Sequence, residues 1–555
     1  MLDPKLNGPP PGWSNVSAQA TNKSYQNAIQ TQWGSELPRL DMMLELSHLY
    51  FATIHQHLSF LHKPRFISSL HNPASLTAPP SLSLIFAVLA VGAAYHDNPA
   101  VRAAGPGWEN KARMVVVENS IGKDGLTRAE PRLTVEMVQS LVILTIISMG
   151  QSQHQRAFMT IGQAVRVSSM LGLHRMDEDR IVAIKDQARG SSRRPPKRIR
   201  PPALHALPQD GVLLEECRRT MAAVFVLDRL EMGCVGWPSS IAIDDLRILL
   251  PCDEHLFEDS VCSSVHNPLL WPDSFQAEHD VGPKAGNFAW LCRMAVLGGQ
   301  IQKETYRPMG FCAEGPFDQR SNVDRPPPLE DVQAILDMDR RIDEMRRFID
   351  LRLAERRAEG SVDVPLSLTS MFLNCELLLL HHLRVAELGL TQLPFDPSRA
   401  MILGSGEYSL QRALEGVSNV SRTIAQLAEL DNQRTTLHWS SVNSFSTFIP
   451  YAAYTFTFPA KWLLGDWDTY ASATSRVGDG LAGGLVKAGH ALPTGDDLFG
   501  PGLDVVRVGI VDTMVEGLDR LGGRWEVGRK FSDLVRKDRD LLAERVVMRQ
   551  RWGQQ

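Results

Sequence analysis

The sequence predicts an all-α protein, a large bundle-like set of helices joined by irregular loops. Three observations carry that expectation. Apolar residues recur at three- and four-residue intervals over most of the chain, Pro- and Gly-rich stretches separate these runs, and no segment shows the sustained alternation of a half-buried strand. With 555 residues, 43% hydrophobic and 22% charged, the chain is long enough for a sizeable core and has an ordinary globular composition.

Residues 1–36 are rich in Pro, Asn, Gln and Ser and lack periodicity, so they read as a disordered leader. The helical body is expected over residues 37–546, with a short tail at 547–555. It opens with LDMMLELSHLYFATIHQHLSFLH. Pro79 and Pro80 precede SLSLIFAVLAVGAAYH, where Pro near a helix start is tolerated. TVEMVQSLVILTIISMG and QHQRAFMTIGQAVRVSSMLGL form a helical pair broken at Gly150. At residues 186–210 the composition shifts to Pro, Arg and Ser, the signature of a flexible basic insertion. Helical pattern resumes at LLEECRRTMAAVFVLDRLEMG. After a loop-rich stretch it recurs at 284–306, 329–357, 364–389, 408–430, 433–457, 502–522 and 524–545. Within 329–357, Val332, Leu336, Ile342, Met345 and Ile349 share one stripe opposite charged residues. Residues 474–500 are Gly-rich and read as a loop.

Composition excludes several classes. A net charge of −5 does not suit a chain that coats nucleic acid. The seven cysteines (217, 234, 252, 262, 292, 312 and 375) contain no C-x-x-C pair, which argues against a thiolate zinc site of the usual spacing. Their odd, dispersed number argues against a secreted disulfide framework. The N-terminus lacks the pattern of a secretory signal. The apolar runs 82–95 and 135–149 are too short to span a bilayer, so a soluble, intracellular protein without a membrane partner is expected.

Catalytic patterns are weak. Gly478, Gly480 and Gly483 fit G-x-G-x-x-G formally, but a polar segment precedes them where a strand would be needed. His55 and His57 cannot share a helix face, so a metal held jointly with His62 is not expected. No H-E-x-x-H, P-loop or G-x-S-x-G is present. No catalytic, metal or cofactor residue is nominated, although a buried constellation near His381, His382 or Glu376 would revive an enzymatic reading.

Read in order, residues 44–255 resemble the fungal-specific transcription factor domain, the middle homology region of zinc binuclear-cluster regulators. ELSHLYFATIHQHLSFLHKPRF is similar to its opening helix. Gln139, within VQSL, and the LGLHR run ending in His174 and Arg175 are similar to its most recognisable helix pair. In EECRRTMAAVFVLDRLEMGCVGWPSSIAIDDLRILLPCDEHLFE the resemblance rests on Arg218, Arg219, Asp228, Arg229, Gly236, Pro238, the Asp244–Asp245 pair and Pro251. The family's usual Trp in this helix is replaced by Met221 or Ala222. Later segments, including a final pair around Trp525, resemble it more loosely. Arg-Arg and Asp-Arg pairs on an otherwise apolar helix suit a structural role, fixing helix ends and loops through directed hydrogen bonds.

The resemblance implies a nuclear regulator of RNA polymerase II transcription rather than an enzyme. Its implied partners are DNA, the transcription machinery, a small-molecule effector and a second copy of the chain. It also implies a zinc-binding DNA reader upstream. Residues 1–40 contain no cysteine, so zinc is expected only in a domain absent from this sequence, whose start is expected to be truncated. The alternative is a DNA-free corepressor or partner of zinc-cluster regulators; an all-α enzyme acting on a small hydrophobic metabolite ranks below it. Within the insertion, Arg193, Arg194, Lys197, Arg198 and Arg200 are candidates for a nuclear localisation signal, with a merely solvated basic loop as the bland reading.

Overall fold

Three core helices start at side chains that satisfy the orphan amides of a first turn. The Ser81 hydroxyl accepts from Leu84 N, Thr134 from Met137 N, and Asp210 from Val212 N and Leu213 N. Each opens a core helix. The computed structural model describes residues 37–71, 80–121, 133–188, 207–262, 269–270, 285–305, 329–391, 406–435, 450–464 and 504–552. Of the described residues, 82% are helical, and none lies in a strand. A single isolated bridge joins Leu249 and Leu269. The fold is all-α.

Fifteen of these helices carry the description: α1 Leu40–Ala52, α2 Lys63–His71, α3 Leu82–Tyr95, α4 Pro99–Ile121, α5 Val135–Gly150, α6 His154–Met170, α7 Glu178–Ala188, α8 Gly211–Val235, α9 Asn287–Thr305, α10 Leu329–Ala358, α11 Val364–Thr391, α12 Gly406–Thr435, α13 Ala452–Leu464, α14 Asp504–Gly522 and α15 Glu526–Trp552. The sequence pattern expected one helix over 433–457. Instead, α12 continues to Thr435 and α13 begins at Ala452, with residues 436–449 outside the described set. The last helix also runs past 546, where a tail was expected, to Trp552. The 1–36 leader, the glycines at 478–483, and all five candidate localisation residues lie outside the described residues.

One hydrophobic cluster extends from Met43 to Val535. Helices α3 and α5 have almost no polar face because they are enclosed on nearly all sides; every residue of α5 from Met137 to Gly150 is buried. Helix α11 contains an 18-residue window, Val364–His381, apolar and long enough to cross a membrane. That window is 89% buried against other helices, as expected of a core helix. On α10, Ile342, Met345 and Ile349 are fully buried, so the stripe read from the sequence is its inner face.

Chain order brings neighbours together pairwise: α3 on α4, α5 on α6, α11 on α12 and α14 on α15. The final pair then returns to α5. Trp525, at the α14–α15 turn, meets the Tyr95 ring at 5.9 Å and occupies the space beside Gly150, where a Cβ would fall 2.0 Å from its ring.

Candidate functional site

Helix α8 is the organising element, and its acidic and basic side chains are almost wholly buried. Arg218 grips Asp177 with two bonds, Nε to Oδ2 and Nη2 to Oδ1, each 2.7 Å, and also donates to Glu215. Asp177 accepts in addition from Leu249 N at 2.9 Å. Burial disfavours the Arg218 cation, but Asp177 and Glu215 outweigh it and hold its pKa above the usual guanidinium value. Arg219 donates to the Ser59 carbonyl at 2.9 Å, the Ser59 hydroxyl at 2.7 Å and the Cys252 carbonyl at 2.5 Å. Its guanidinium also lies 4.3 Å from the centre of the Phe257 ring. Glu216 accepts from Arg65 at 2.7 Å, and Gln139 donates to Thr220 at 3.1 Å. One helix turn thus joins the opening segment, α5, and the chain on both sides of the Leu249–Cys252 run.

The far end of α8 fixes a loop. Gly236 terminates the helix at φ +70°, a left-handed conformation that glycine adopts without steric cost. Asp228 then accepts from Ser240 N at 2.8 Å and Ile241 N at 3.2 Å, and Arg229 donates to the Ile241 carbonyl. Pro238 is exposed on this loop and Pro251 is buried at its close. Two backbone bonds, Arg247 N to the His174 carbonyl at 2.6 Å and Asp177 N to the Arg247 carbonyl at 3.1 Å, tie the loop to the L-G-L-H-R segment.

Between these two segments lies a cleft of about 380 Å³. Val165 and Met221 contribute apolar lining; Ser169, His174, Arg175 and Glu178 come from the α6–α7 connection, and Ser240, Ala242, Asp244, Asp245 and Arg247 from the loop after α8. Arg175 pairs with Glu178 at 3.3 Å. Asp244 and Asp245 are exposed, and neither side chain makes a hydrogen bond or ion pair to another described residue. The Arg247 guanidinium donates to the Leu246 carbonyl at 3.1 Å. The Nδ1 atom of His174 is buried without a hydrogen-bond partner among the described residues. Burial, reinforced by the Arg175 charge, lowers the His174 pKa, so the imidazole is held toward its neutral form.

The structure thus brings His174 and Arg175 to the cleft and places Arg218, Arg219, Asp228, Arg229 and Gln139 in the ionic framework behind it. Sequence reasoning missed Asp177, the acceptor that joins both halves. Its only signal was the acidic run directly after LGLHR, which reads equally well as a helix first turn.

Two further polar groupings bear on chemistry. Ser409 Oγ lies 3.1 Å from His381 Nδ1, and His381 Nε2 lies 3.5 Å from Asp339. The order resembles a hydrolytic triad, but Ser409 and His381 are at most 1% exposed, leaving a substrate no approach. Asp339 is also taken up by three bonds from Arg412 and one from Tyr408. Burial opposes its charge, yet the bonds from His381 and Arg412 hold its pKa far below the carboxylate range. Glu376 accepts from Gln302 at 2.6 Å in a buried setting, and Glu231 accepts from the Tyr451 hydroxyl at 2.7 Å. His55, His57 and His62 are buried, and the His55 Nε2 lies 2.8 Å from the Leu61 carbonyl. Among the described residues no group of His, Cys, Asp and Glu is arranged to hold a metal ion. The thiols of Cys217 and Cys252 are pushed up to about 12 by burial.

Residues 48–284 match the model of the fungal specific transcription factor domain. The chain is 28% identical over 314 residues to the Zn(2)-C6 fungal-type transcription factor FTF1c of Fusarium oxysporum f. sp. lycopersici, covering 54% of this chain and 30% of that protein. FTF2 of the same fungus, also a Zn(2)-C6 fungal-type transcription factor, is 27% identical over 45% of this chain and 20% of its own length. An uncharacterized transcriptional regulatory protein of Schizosaccharomyces pombe is 24% identical over 52% of this chain and 32% of its own. The chain therefore spans 20–32% of the length of these relatives. No solved structure matches it. The matched region encloses the α8 framework and the cleft, so over residues 48–284 this chain is similar to the fungal specific transcription factor domain, and its Fusarium relatives are Zn(2)-C6 fungal-type transcription factors.

Proposed function

We propose that this chain is the regulatory region of a nuclear RNA polymerase II transcription factor, with no catalytic role of its own. The observation that carries the reading is the family match over residues 48–284, which coincides with the buried framework around α8. DNA contact would come from a zinc-cluster module of the kind named in its Fusarium relatives, or from a partner protein. The burial of Ser409 and His381 supports a structural network over a catalytic one. Gln139, Arg218, Arg219, Asp228 and Arg229 then hold the body together, and the cleft beside His174 is where an effector would be sensed.

Fusion of the chain to an unrelated DNA-binding domain, upstream of a reporter in a fungal host, tests the reading. A change of reporter output in either direction supports it, and output equal to that of the DNA-binding domain alone contradicts it. Nuclear entry is a separate proposal, motivated by the clustered charges of Arg189, Arg193, Arg194, Lys197, Arg198 and Arg200. Changing these six to Ala is expected to leave a fluorescently tagged chain in the cytoplasm. Unchanged import would remove the signal.

A further inference from the structure

We propose that the cleft between the L-G-L-H-R segment and the loop after α8 binds a small zwitterionic metabolite, a molecule carrying both an ammonium and a carboxylate, of the size of an amino acid. The inference rests on the regulatory reading only for its consequence; the binding itself rests on the cleft.

Its volume of about 380 Å³ falls at the lower end of small-molecule sites, about 300–1,000 Å³. Opposite charges line it, and of these only Arg175 and Glu178 pair with one another among the described residues. Asp244 and Asp245 form no ion pair with a described residue, and Arg247, whose guanidinium is bonded among the described residues only to the Leu246 carbonyl, stands two positions further on. The remaining cation, Arg175, is already paired with Glu178. A ligand with one charge would satisfy one side of this set and leave the other unpaired, whereas an ammonium on the aspartates and a carboxylate on Arg247 satisfy both. Val165 and Met221 supply an apolar surface against which an uncharged substituent can rest.

The site is preformed at its root. Asp228 holds the amides of Ser240 and Ile241, and the two backbone bonds at Arg247 hold the other end. A bound zwitterion would clasp the loop to the α6–α7 connection and favour whichever arrangement of α7 and α8 keeps the two together.

The test is titration calorimetry on the full chain, with L-amino acids injected one at a time and propylamine and propionate as single-charge probes. Saturable binding of at least one amino acid, with each single-charge probe weaker by ~10-fold or more, is expected from the loss of one charge-assisted bond. Asp245→Asn and Arg247→Gln should each weaken that binding by a similar factor. Ala242→Trp, at an exposed lining position, should abolish it by filling the cleft with all charges retained, and near-ultraviolet circular dichroism checks that the variants keep their packing. No binding by any amino acid, equal binding of a single-charge probe, or full affinity in all three variants would overturn the proposal. None of these outcomes depends on transcription, so a failed titration leaves the reporter result standing, and a silent reporter leaves the titration standing.

Discussion

At the scale of single residues, the body depends on charges taken out of water and paired there. Such pairs contribute little net stability relative to apolar packing, but breaking one leaves an uncompensated buried charge. Asp177→Ala strands Arg218 with Glu215 alone and frees Leu249 N. It should destabilise the fold by about 3–5 kcal/mol, read by chemical denaturation; a loss near zero would show that the pair is solvated. Glu231 behaves differently, with no ion pair to a cation among the described residues. Burial, partly offset by the Tyr451 hydroxyl bond, pushes its pKa up from 4.5 to about 8, and burial moves Glu376 to about 7. Between the ordinary and the raised value the folded state holds protons that the unfolded chain has released. Stability from these groups is therefore intact below the ordinary carboxylate range and is lost as pH rises toward 8. Glu231→Gln should flatten that loss across the same window in thermal melts taken at several pH values. An unchanged slope would place the titration elsewhere. The sequence made Arg218, Arg219, Asp228 and Arg229 conspicuous because charged residues stand out in an apolar helix. It could not show their partners, since Ser59, Asp177 and Cys252 lie 33 to 160 residues away along the chain.

At the scale of elements, helices were legible where a one-sided apolar stripe marked them, as at Ile342, Met345 and Ile349 on α10. One boundary was misread: residues 433–435 belong to the end of α12 and α13 begins at Ala452, so the helix read over 433–457 joins parts of two elements. Similarly invisible was the return of the last helix pair onto α5, a contact between residues 375 positions apart that depends on a glycine leaving room for a tryptophan. Gly150→Ala should cost about 1–3 kcal/mol by overpacking, and Trp525→Ala about 3–5 kcal/mol through the cavity left behind. Because one change opens the space that the other overfills, the double variant should be less destabilised than the sum of the two. Strict additivity in denaturation would mean that the final pair does not pack on α5 in solution.

At the scale of the whole molecule, one apolar cluster links the first helix to the last, so the described helices α9 to α15, beyond the domain match, share a packed core with those within it. The cleft was only half legible. His174, Arg175, Asp244 and Asp245 stood out in the ordered motifs, but their convergence needed the two backbone bonds at Arg247, which no sequence spacing announces. We propose that this body regulates transcription, and chromatin occupancy of the tagged protein in its native host, paired with transcript profiles of a deletion strain, tests that directly. The account predicts enrichment at promoters whose transcripts change on deletion. A protein absent from chromatin, with transcripts unchanged when its gene is removed, would contradict it.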